Sequence, residues 1–111
     1  AQKARRLIVN KMNEFFDSID YLISPAAFSI PKKIDELSTA WSVHPDFLDN
    51  ILTIGNFGGY PSLTLPMCKV DGLPVGVNIT GRVFEDGALL ALGKDIEDMT
   101  GLKNLIAKEE K

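Results

Sequence analysis

The side chains that could carry chemistry in this 111-residue sequence are few and scattered. His44, the single histidine, stands just before Pro45 at a helix-start pattern, so we expect it to cap the helix or lie on the surface. Cys68 is the only cysteine, which excludes an internal disulfide and a multi-cysteine metal site. Its place at the end of an apolar strand predicts a buried, inert thiol. The sequence therefore predicts no metal site and no nucleophile beside an activating base.

The glycine-rich segment 55–59 does not have the form of a phosphate-binding loop. It follows a helical pattern rather than opening one, and it lacks the Lys-Ser/Thr ending. The formal net charge of -3 predicts no direct nucleic-acid contact. Basic residues do cluster near the start, and we assign them to the solvated side of a helix. They are Lys3, Arg5, Arg6 and Lys11.

The first half of the chain predicts two helices around a short strand. Apolar residues recur at spacings of three and four between residues 4 and 19, which is typical of one helical face. A strand follows at 21–24 and ends at Pro25, and one or two helical turns are predicted at 35–41. A second helix begins near residues 44–46 and stops at Gly58-Gly59. The first helical face consists of Ala4, Leu7, Ile8, Met12, Phe15, Phe16 and Ile19.

The second half predicts a hairpin and a last helix. Apolar residues alternate at 63–67 and 73–79, and a Val70-Asp71-Gly72 turn joins the two strands as an antiparallel pair. We expect Asp86 to cap the last helix and Gly101 to end it. The predicted apolar side of this helix consists of Ala88, Leu89, Leu92, Ile96 and Met99.

These elements define a mixed α/β fold with about three strands and three to four helices. Residues 1–111 are long enough for one domain segment, with a disordered tail expected at 108–111. No apolar run approaches the length of about 20 residues that spans a bilayer. The opening Ala1-Gln2-Lys3 leads straight into a helical pattern, which suggests a chain cut from something longer.

One ordered set of residues is more specific than any of these features. The segment at 49–66 contains an Asn, a Gly-x-Pro and a strand with a further Pro. The segment at 72–86 then contains Gly-x-Pro-x-Gly, a later Gly and Phe-x-Asp. In this order and spacing they resemble the C-terminal region of the amidase-signature family, whose fold is a mixed sheet flanked by helices. The matched residues are Asn56, Gly59, Pro61, Pro66, Gly72, Pro74, Gly76, Gly81 and Phe84.

The resemblance implies an amidase as the parent protein. Within the family it is greatest to the glutamyl-tRNA(Gln) amidotransferase branch, which hydrolyses glutamine and passes ammonia to a partner subunit that amidates Glu-tRNA(Gln). Such enzymes use a Ser, a cis-Ser and a Lys that lie well upstream, and the Gly-Gly-Ser-Ser-Gly-Gly-Ser signature does not occur here. We therefore assign no catalytic residue to this chain and expect it to be inactive alone. ATP and Mg are expected only at the partner subunit, and no cofactor is expected in this chain.

Asp49 is the one substrate-binding residue that the resemblance implies. In the glutamine-using branch, an acidic residue seven positions before the matched Asn binds the α-amino group of glutamine, and a carboxylate suits an ammonium. The competing interpretation is a carboxylate that only stabilises the first turn of a helix. Three positions depart from the family pattern. These departures bear on which amide is the substrate and leave the resemblance to the family unchanged. The three positions are Ala26, Gly55 and Asn78.

Two alternatives stand beside the glutaminase interpretation. One is an amidase that acts on other small carboxamides, and the other is a non-catalytic binding or scaffold module. A single free thiol fits the reducing cytoplasm best. The expected partners are the missing N-terminal catalytic part of the same protein, other amidotransferase subunits and glutamine. Because the three strands would leave unpaired edges, we expect the isolated chain to self-associate.

Overall fold

The computed structural model describes residues 1–27, 29–31, 33 and 47–103. Across these residues three helices and three strands follow one another in the order helix, strand, helix, strand, strand, helix. The helix predicted at 35–41, His44 and the tail at 108–111 lie outside the described residues. The elements are α1 (Gln2–Phe16), β1 (Leu22–Pro25), α2 (Phe47–Gly58), β2 (Ser62–Val70), β3 (Leu73–Thr80) and α3 (Asp86–Thr100).

The three strands form one antiparallel sheet in the order β1-β3-β2. The predicted hairpin is confirmed, because β2 pairs with β3 from Ser62 opposite Thr80 to Val70 opposite Leu73. Asp71 and Gly72 have φ of 51° and 80°, so the turn between them needs the left-handed backbone that glycine adopts without strain. β1 pairs with the other side of β3, with Ile23 opposite Ile79. The central strand β3 thus lies between β2, which directly precedes it in sequence, and β1, which comes from the first part of the chain.

The core lies between one face of this sheet and α3. Ile79 is fully buried, and Leu65 and Leu89 are almost so. Because side chains alternate across a strand, Ile79 and Leu65 point to the α3 side while their neighbours point away from it. The half-buried side chains packed around this core are Tyr21, Leu63, Val77, Leu92 and Ile96.

Close approach within the sheet explains one of the matched glycines. A Cβ built on Gly76 would lie 3.0 Å from the carbonyl oxygen of Leu65 and 3.3 Å from the Cβ of Ala26. Neither neighbour can move without disturbing a strand, so only glycine fits between them. Gly76 is thus closely packed within the sheet, whereas a Cβ on Gly81 would have its nearest contact at 3.7 Å.

The helix boundaries mostly follow the sequence, although α1 ends at Phe16, before the predicted Ile19; on α3 the predicted cap at Asp86 and the predicted packing of Met99 are wrong. α3 begins at Asp86, yet the N-cap position is Glu85 and no side chain forms a capping bond there. Met99 is 85 % exposed, because it follows the part of α3 that rests on the sheet. Gly101 ends α3 with φ of 66°, and Gly59 follows α2 with φ of 73°, as predicted.

α1 buries less of its apolar face than the spacing predicts. Phe16 is buried, and Ile8, Val9 and Met12 are half-buried. Leu7 and Phe15 are exposed, which corrects their predicted place on the packed face. Phe15 lies about 100° around the helix axis from Phe16, so it falls at the margin of the face that Phe16 packs.

Cys68 is exposed, and the predicted burial of its thiol is wrong. It lies where β2 and β3 continue beyond the end of β1, since β1 pairs only with residues 77–80 of β3. A register irregularity between Pro66 and Cys68 also interrupts β2 at this point. Among the described residues, the end of the hairpin therefore has no third strand beside it, and its apolar side chains Met67, Val70 and Leu73 are exposed.

Candidate functional site

α2 carries the predicted substrate-binding position in its first turn. Asp49 is the third residue of this helix, and Asn56 follows seven residues later. Seven residues correspond to about two helical turns, so positions 49 and 56 lie on the same side of α2. Asn56 is exposed, as is Thr53 between them. This side of α2 is thus open to solvent at its Asn56 end.

Tyr60 fixes the end of α2 against α1. Its ring lies 5.3 Å from the ring of Phe16, measured between centroids. Its hydroxyl donates to Asn13 Oδ1 over 2.6 Å, with the carbonyl oxygen of Val9 at 3.3 Å. Burial raises the pKa of Tyr60, because the phenolate would lose its hydration. This residue therefore holds α2, and with it position 49, in a fixed place relative to α1.

A second contact joins the same two helices. The Nε of Arg5 donates to the carbonyl oxygen of Phe57 over 2.8 Å, which satisfies a carbonyl in the last turn of α2. Arg5 belongs to the basic cluster that the sequence assigns to solvent; it is exposed, as predicted, and it also caps this carbonyl. An open cleft of about 360 Å³ lies beside it, lined by Gln2, Arg5, Arg6, Val9, Phe57 and Gly58.

Arg82 holds the segment that links α1 to β1. Its Nε and Nη2 donate to the carbonyl oxygen of Phe16 over 3.1 and 3.0 Å, and Nη2 also donates to that of Ile19 over 3.0 Å. An ion pair with Asp20 at 3.1 Å completes the contact. A planar guanidinium can satisfy several acceptors at once, so one side chain after β3 orders a turn more than 60 positions earlier in sequence.

The sheet face opposite α3 carries a polar cluster centred on Asn78. Asn78 is buried; its Nδ2 donates to Thr64 Oγ1 over 3.0 Å, and its Oδ1 accepts from Thr80 Oγ1 over 3.3 Å. Ser24 stands opposite Asn78 on β1. Asn78, one of the departures from the family pattern, is thus a structural residue that links β2 to β3.

Three hydroxyl groups lie against acceptors that cannot activate a nucleophile. Ser18 and Thr100 donate to backbone carbonyl oxygens, and Thr80 donates to the Asn78 side chain. A carbonyl or amide oxygen is not a general base, so these three hydroxyls are not primed for attack. Over residues 1–27, 29–31, 33 and 47–103, no group of three acidic, His or Cys side chains is arranged to hold a metal ion.

The structure brings some of the matched motif residues together and leaves others apart. The amide of Gly81 donates to the carbonyl oxygen of Pro61 over 2.9 Å, which joins the start of β2 to the end of β3. Pro66 stands directly opposite Gly76 in the same pair. Pro74 stands opposite Lys69 near the hairpin turn, far from Asn56 on α2. These residues therefore shape the backbone and do not form one cluster of functional side chains.

Sequence reasoning missed Arg82, Tyr60 and Asn13. Their partners lie 47 to 66 positions away in sequence, and several of these partners are backbone carbonyl oxygens. A backbone acceptor leaves no trace in the sequence. The available signal was the polar tip on Tyr60, since a Tyr hydroxyl usually finds a partner when its ring is buried.

None of the helices in the described ranges is both long and apolar enough to span a lipid bilayer. The longest of them, α1 and α3, have 15 residues each. Both carry several charged side chains, so each has a polar surface along its length.

Comparison with known proteins places the chain in a family. The family model described as Amidase matches residues 1–90. A glutamyl-tRNA(Gln) amidotransferase subunit from Archaeoglobus fulgidus is 34 % identical over 101 residues, which is 91 % of this chain and 22 % of that protein. The corresponding protein from Wolinella succinogenes is 36 % identical over 103 residues, again 91 % of this chain and 22 % of its own length. The chain thus spans about a fifth of the curated relatives it matches.

Solved structures agree with this placement. The crystal structure of the glutamyl-tRNA(Gln) amidotransferase subunit from Thermotoga maritima matches with a TM-score of 0.61 and 32 % identity, over 96 % of this chain and 22 % of that one. An allophanate hydrolase structure from Kluyveromyces lactis matches with a TM-score of 0.70 and 27 % identity, over 89 % of this chain and 16 % of that one. The α/β arrangement of the chain is therefore part of the fold of these enzymes, and the chain belongs to the amidase family.

Proposed function

We propose that this chain is the C-terminal flank of a glutaminase that releases ammonia for converting Glu-tRNA(Gln) to Gln-tRNA(Gln). The observation that carries the proposal is the run of relatives named as a glutamyl-tRNA(Gln) amidotransferase subunit, which cover nine-tenths of the chain at about one-third identity. The subfamily position of Asp49 in the first turn of α2 agrees with it.

In this proposal Asp49 binds substrate and does not take part in bond breaking. Its carboxylate accepts a charge-assisted hydrogen bond from the α-amino group of glutamine. This bond makes the site select glutamine over amides that have no α-amino group. The Ser, cis-Ser and Lys that hydrolyse the amide belong to the portion of the parent protein upstream of this chain. Tyr60 and Arg5 support the site from a distance by fixing α2 against α1.

The proposed partners follow from the same reaction. Ammonia passes to another amidotransferase subunit, where ATP and Mg activate Glu-tRNA(Gln), and this chain needs no cofactor of its own. With a net charge of -3, it is not expected to contact tRNA directly. The cytoplasm is the proposed setting, because an exposed free thiol such as Cys68 persists best under reducing conditions.

An amidase for another small carboxamide is the second candidate. The match to an allophanate hydrolase has a TM-score of 0.70, higher than the 0.61 of the amidotransferase structure, which favours keeping this alternative. The two candidates differ in what they require of position 49, because only glutamine presents an α-ammonium group to a carboxylate there.

The test uses the longest reading frame that contains this chain, with ammonia release measured from glutamine and from glutaramate, which is glutamine without its α-amino group. We expect Asp49→Ala to raise the KM for glutamine by about 10- to 100-fold, the loss of one charge-assisted hydrogen bond. The KM for glutaramate should stay unchanged, because that substrate offers nothing to the carboxylate.

Asp86→Ala is the matched control. Asp86 opens α3 as an acidic residue in the first turn, so it shares the helix-dipole environment of Asp49 but lies on a helix to which no substrate role is assigned. We expect both variants to lose similar stability and only Asp49→Ala to change the KM for glutamine. Unchanged glutamine kinetics in Asp49→Ala would refute the assigned role. Preference for glutaramate in the unmodified enzyme would favour the small-amide alternative.

A further inference from the structure

The cleft beside Arg5 lies between two helices that are distant in sequence. The start of α1 forms one wall, and the last turn of α2 forms the other. Its volume of about 360 Å³ falls in the range of small-molecule sites, roughly 300–1,000 Å³. The charged side chains that line it are Arg5 and Arg6, and none of its described lining residues is acidic. The charge of the cleft therefore favours an anion.

Neither arginine has a carboxylate partner in the described part of the chain. The ion pairs found there all involve other cations. Arg5 uses its Nε for the Phe57 carbonyl oxygen, and its two Nη nitrogens have no acceptor among the described residues. Arg6 forms no hydrogen bond to any described residue. Since both side chains are exposed, an anion from solvent reaches their free donors directly.

The bond between Arg5 and Phe57 also prepares the cleft for an anion. The carbonyl oxygens of the last helical turn carry partial negative charge, which would repel an anion at this wall. The Nε of Arg5 occupies one of these oxygens over 2.8 Å. Because the guanidinium is planar, this single bond also restricts where its remaining donors point.

The wall formed by α1 combines polar and apolar groups. Residues 2, 5, 6 and 9 are spaced by three and four positions, so they share one side of α1 over two turns. Gln2 adds an amide that can both donate and accept a hydrogen bond. Val9 is half-buried and adds apolar surface to the same wall. A ligand that matches this wall carries negative charge at more than one point and has an apolar part between.

We propose that the cleft between α1 and α2 binds a small dicarboxylate, which is a molecule with two carboxylate groups joined by a short carbon chain. One carboxylate pairs with the guanidinium of Arg6, and the other pairs with the free Nη nitrogens of Arg5. Guanidinium and carboxylate match as planar groups that form two parallel hydrogen bonds. The carbon chain lies against Val9. The inference does not depend on the proposed function, because it uses no residue of α2 upstream of Phe57.

Inorganic phosphate matches the cleft less well. The cleft has the volume of about 12 water molecules at ~30 Å³ each, so a compact ion would leave much of it filled with water. A compact ion also brings no apolar surface to Val9. The chain as a whole carries a net charge of -3 and repels anions at long range, so binding depends on direct contact with both arginines.

Calorimetric titration of the longest reading frame that contains this chain tests the inference, with succinate as the probe in dilute Tris chloride. Arg6→Gln removes one guanidinium, and it breaks no contact with a described residue, so the fold should persist. We expect this variant to raise the Kd for succinate by about 10- to 100-fold, as the loss of a charge-assisted contact does.

Lys3→Gln is the matched control, because it removes a charge from the same basic cluster on α1 at a side chain that does not line the cleft. Its Kd for succinate should equal that of the unmodified protein. Equal effects of the two variants would assign binding to general surface charge and would overturn the inference. Absence of binding at millimolar succinate would overturn it too, as would inorganic phosphate that binds as tightly as succinate.

Dependence on Arg6 separates this cleft from an active site that takes succinate as an analogue of glutamate. A protein that releases ammonia from glutamine but binds succinate independently of Arg6 would reject this inference alone. A protein that releases no ammonia, yet loses succinate binding in Arg6→Gln and keeps it in Lys3→Gln, would reject the proposed function alone.

Discussion

Phe84 combines two unfavourable features in one residue between β3 and α3. Its φ is 67°, in the left-handed region that a bulky side chain rarely adopts, and the side chain is 94 % exposed. The free energy of side-chain burial within this chain therefore does not offset the strain of the Phe84 backbone. Residues held in this way concentrate where a surrounding structure fixes them, and Phe84 is one of the residues that match the family pattern.

The strain at Phe84 predicts an unusual order of stability between two variants. Both Phe84→Ala and Phe84→Gly remove the exposed ring, but only glycine adopts positive φ freely. We expect Phe84→Gly to be more stable than Phe84→Ala by about 1 kcal/mol in urea unfolding of the chain. At an ordinary helical or extended position the order is reversed, so an alanine variant at least as stable as the glycine variant would contradict a strained backbone there.

Single residues also show what the sequence cannot reveal. Cys68 follows an apolar strand pattern, and such a pattern normally indicates burial. Its exposure reflects its position in the assembled sheet, at the end of the hairpin beyond the part of β3 that pairs with β1, which the pattern of β2 alone does not reveal. Tyr60 gives the opposite case, since its hydrogen bonds link α1 to the end of α2 although nothing in the local pattern indicates a contact.

At the scale of elements, prediction succeeded where the signal is local. The Asp71-Gly72 turn, the two strands it joins and the glycine at the end of α3 were all predictable, because each depends on a few neighbouring residues. The place of β1 beside β3 was not predictable, since antiparallel pairing between strands so distant in sequence leaves no periodic trace. The site at Asp49 depends on the resemblance, and its role stays a prediction.

The contact between α1 and α2 predicts that a side chain at position 58 would destabilise the chain. A Cβ at Gly58 would come within 2.9 Å of several ring atoms of Tyr60. That ring cannot shift easily, because Phe16 packs against it and Asn13 accepts its hydroxyl hydrogen bond. We expect Gly58→Ala to destabilise the chain by about 1–3 kcal/mol, as overpacking does, measured by urea unfolding.

Gly55→Ala in the same helix is the control for Gly58→Ala. A Cβ there meets the carbonyl oxygen of Tyr60 at 3.4 Å, which is ordinary van der Waals contact. Alanine favours the helix over glycine by up to about 1 kcal/mol, so this variant should be neutral or stabilised. Equal effects of the two substitutions would mean that helix propensity, rather than the Tyr60 contact, decides both.

On the scale of the whole molecule, the chain leaves several large apolar side chains in solvent. Among the described residues, its buried apolar core is centred on Ile79, Leu65 and Leu89. The most exposed examples are Phe84, Met99, Leu7, Ile23 and Leu90. Burial of these side chains by further structure would add to the stability of the fold.

The isolated 111-residue chain should therefore self-associate at micromolar concentration and bind ANS, because an open strand edge with an apolar side chain is a ready pairing site. Ile23→Lys should lower the sedimentation-derived mass towards that of the monomer, since the charge sits on the open edge at β1.

Leu90→Lys is the matched control: it adds the same charge at a side chain that is also 63 % exposed, but on α3 and away from any strand edge. If association is driven by the β1 edge, only the first variant will suppress it. Equal suppression by both variants would assign association to apolar exposure in general. An unsubstituted chain that is monomeric and does not bind ANS would contradict the prediction that the β1 edge drives association.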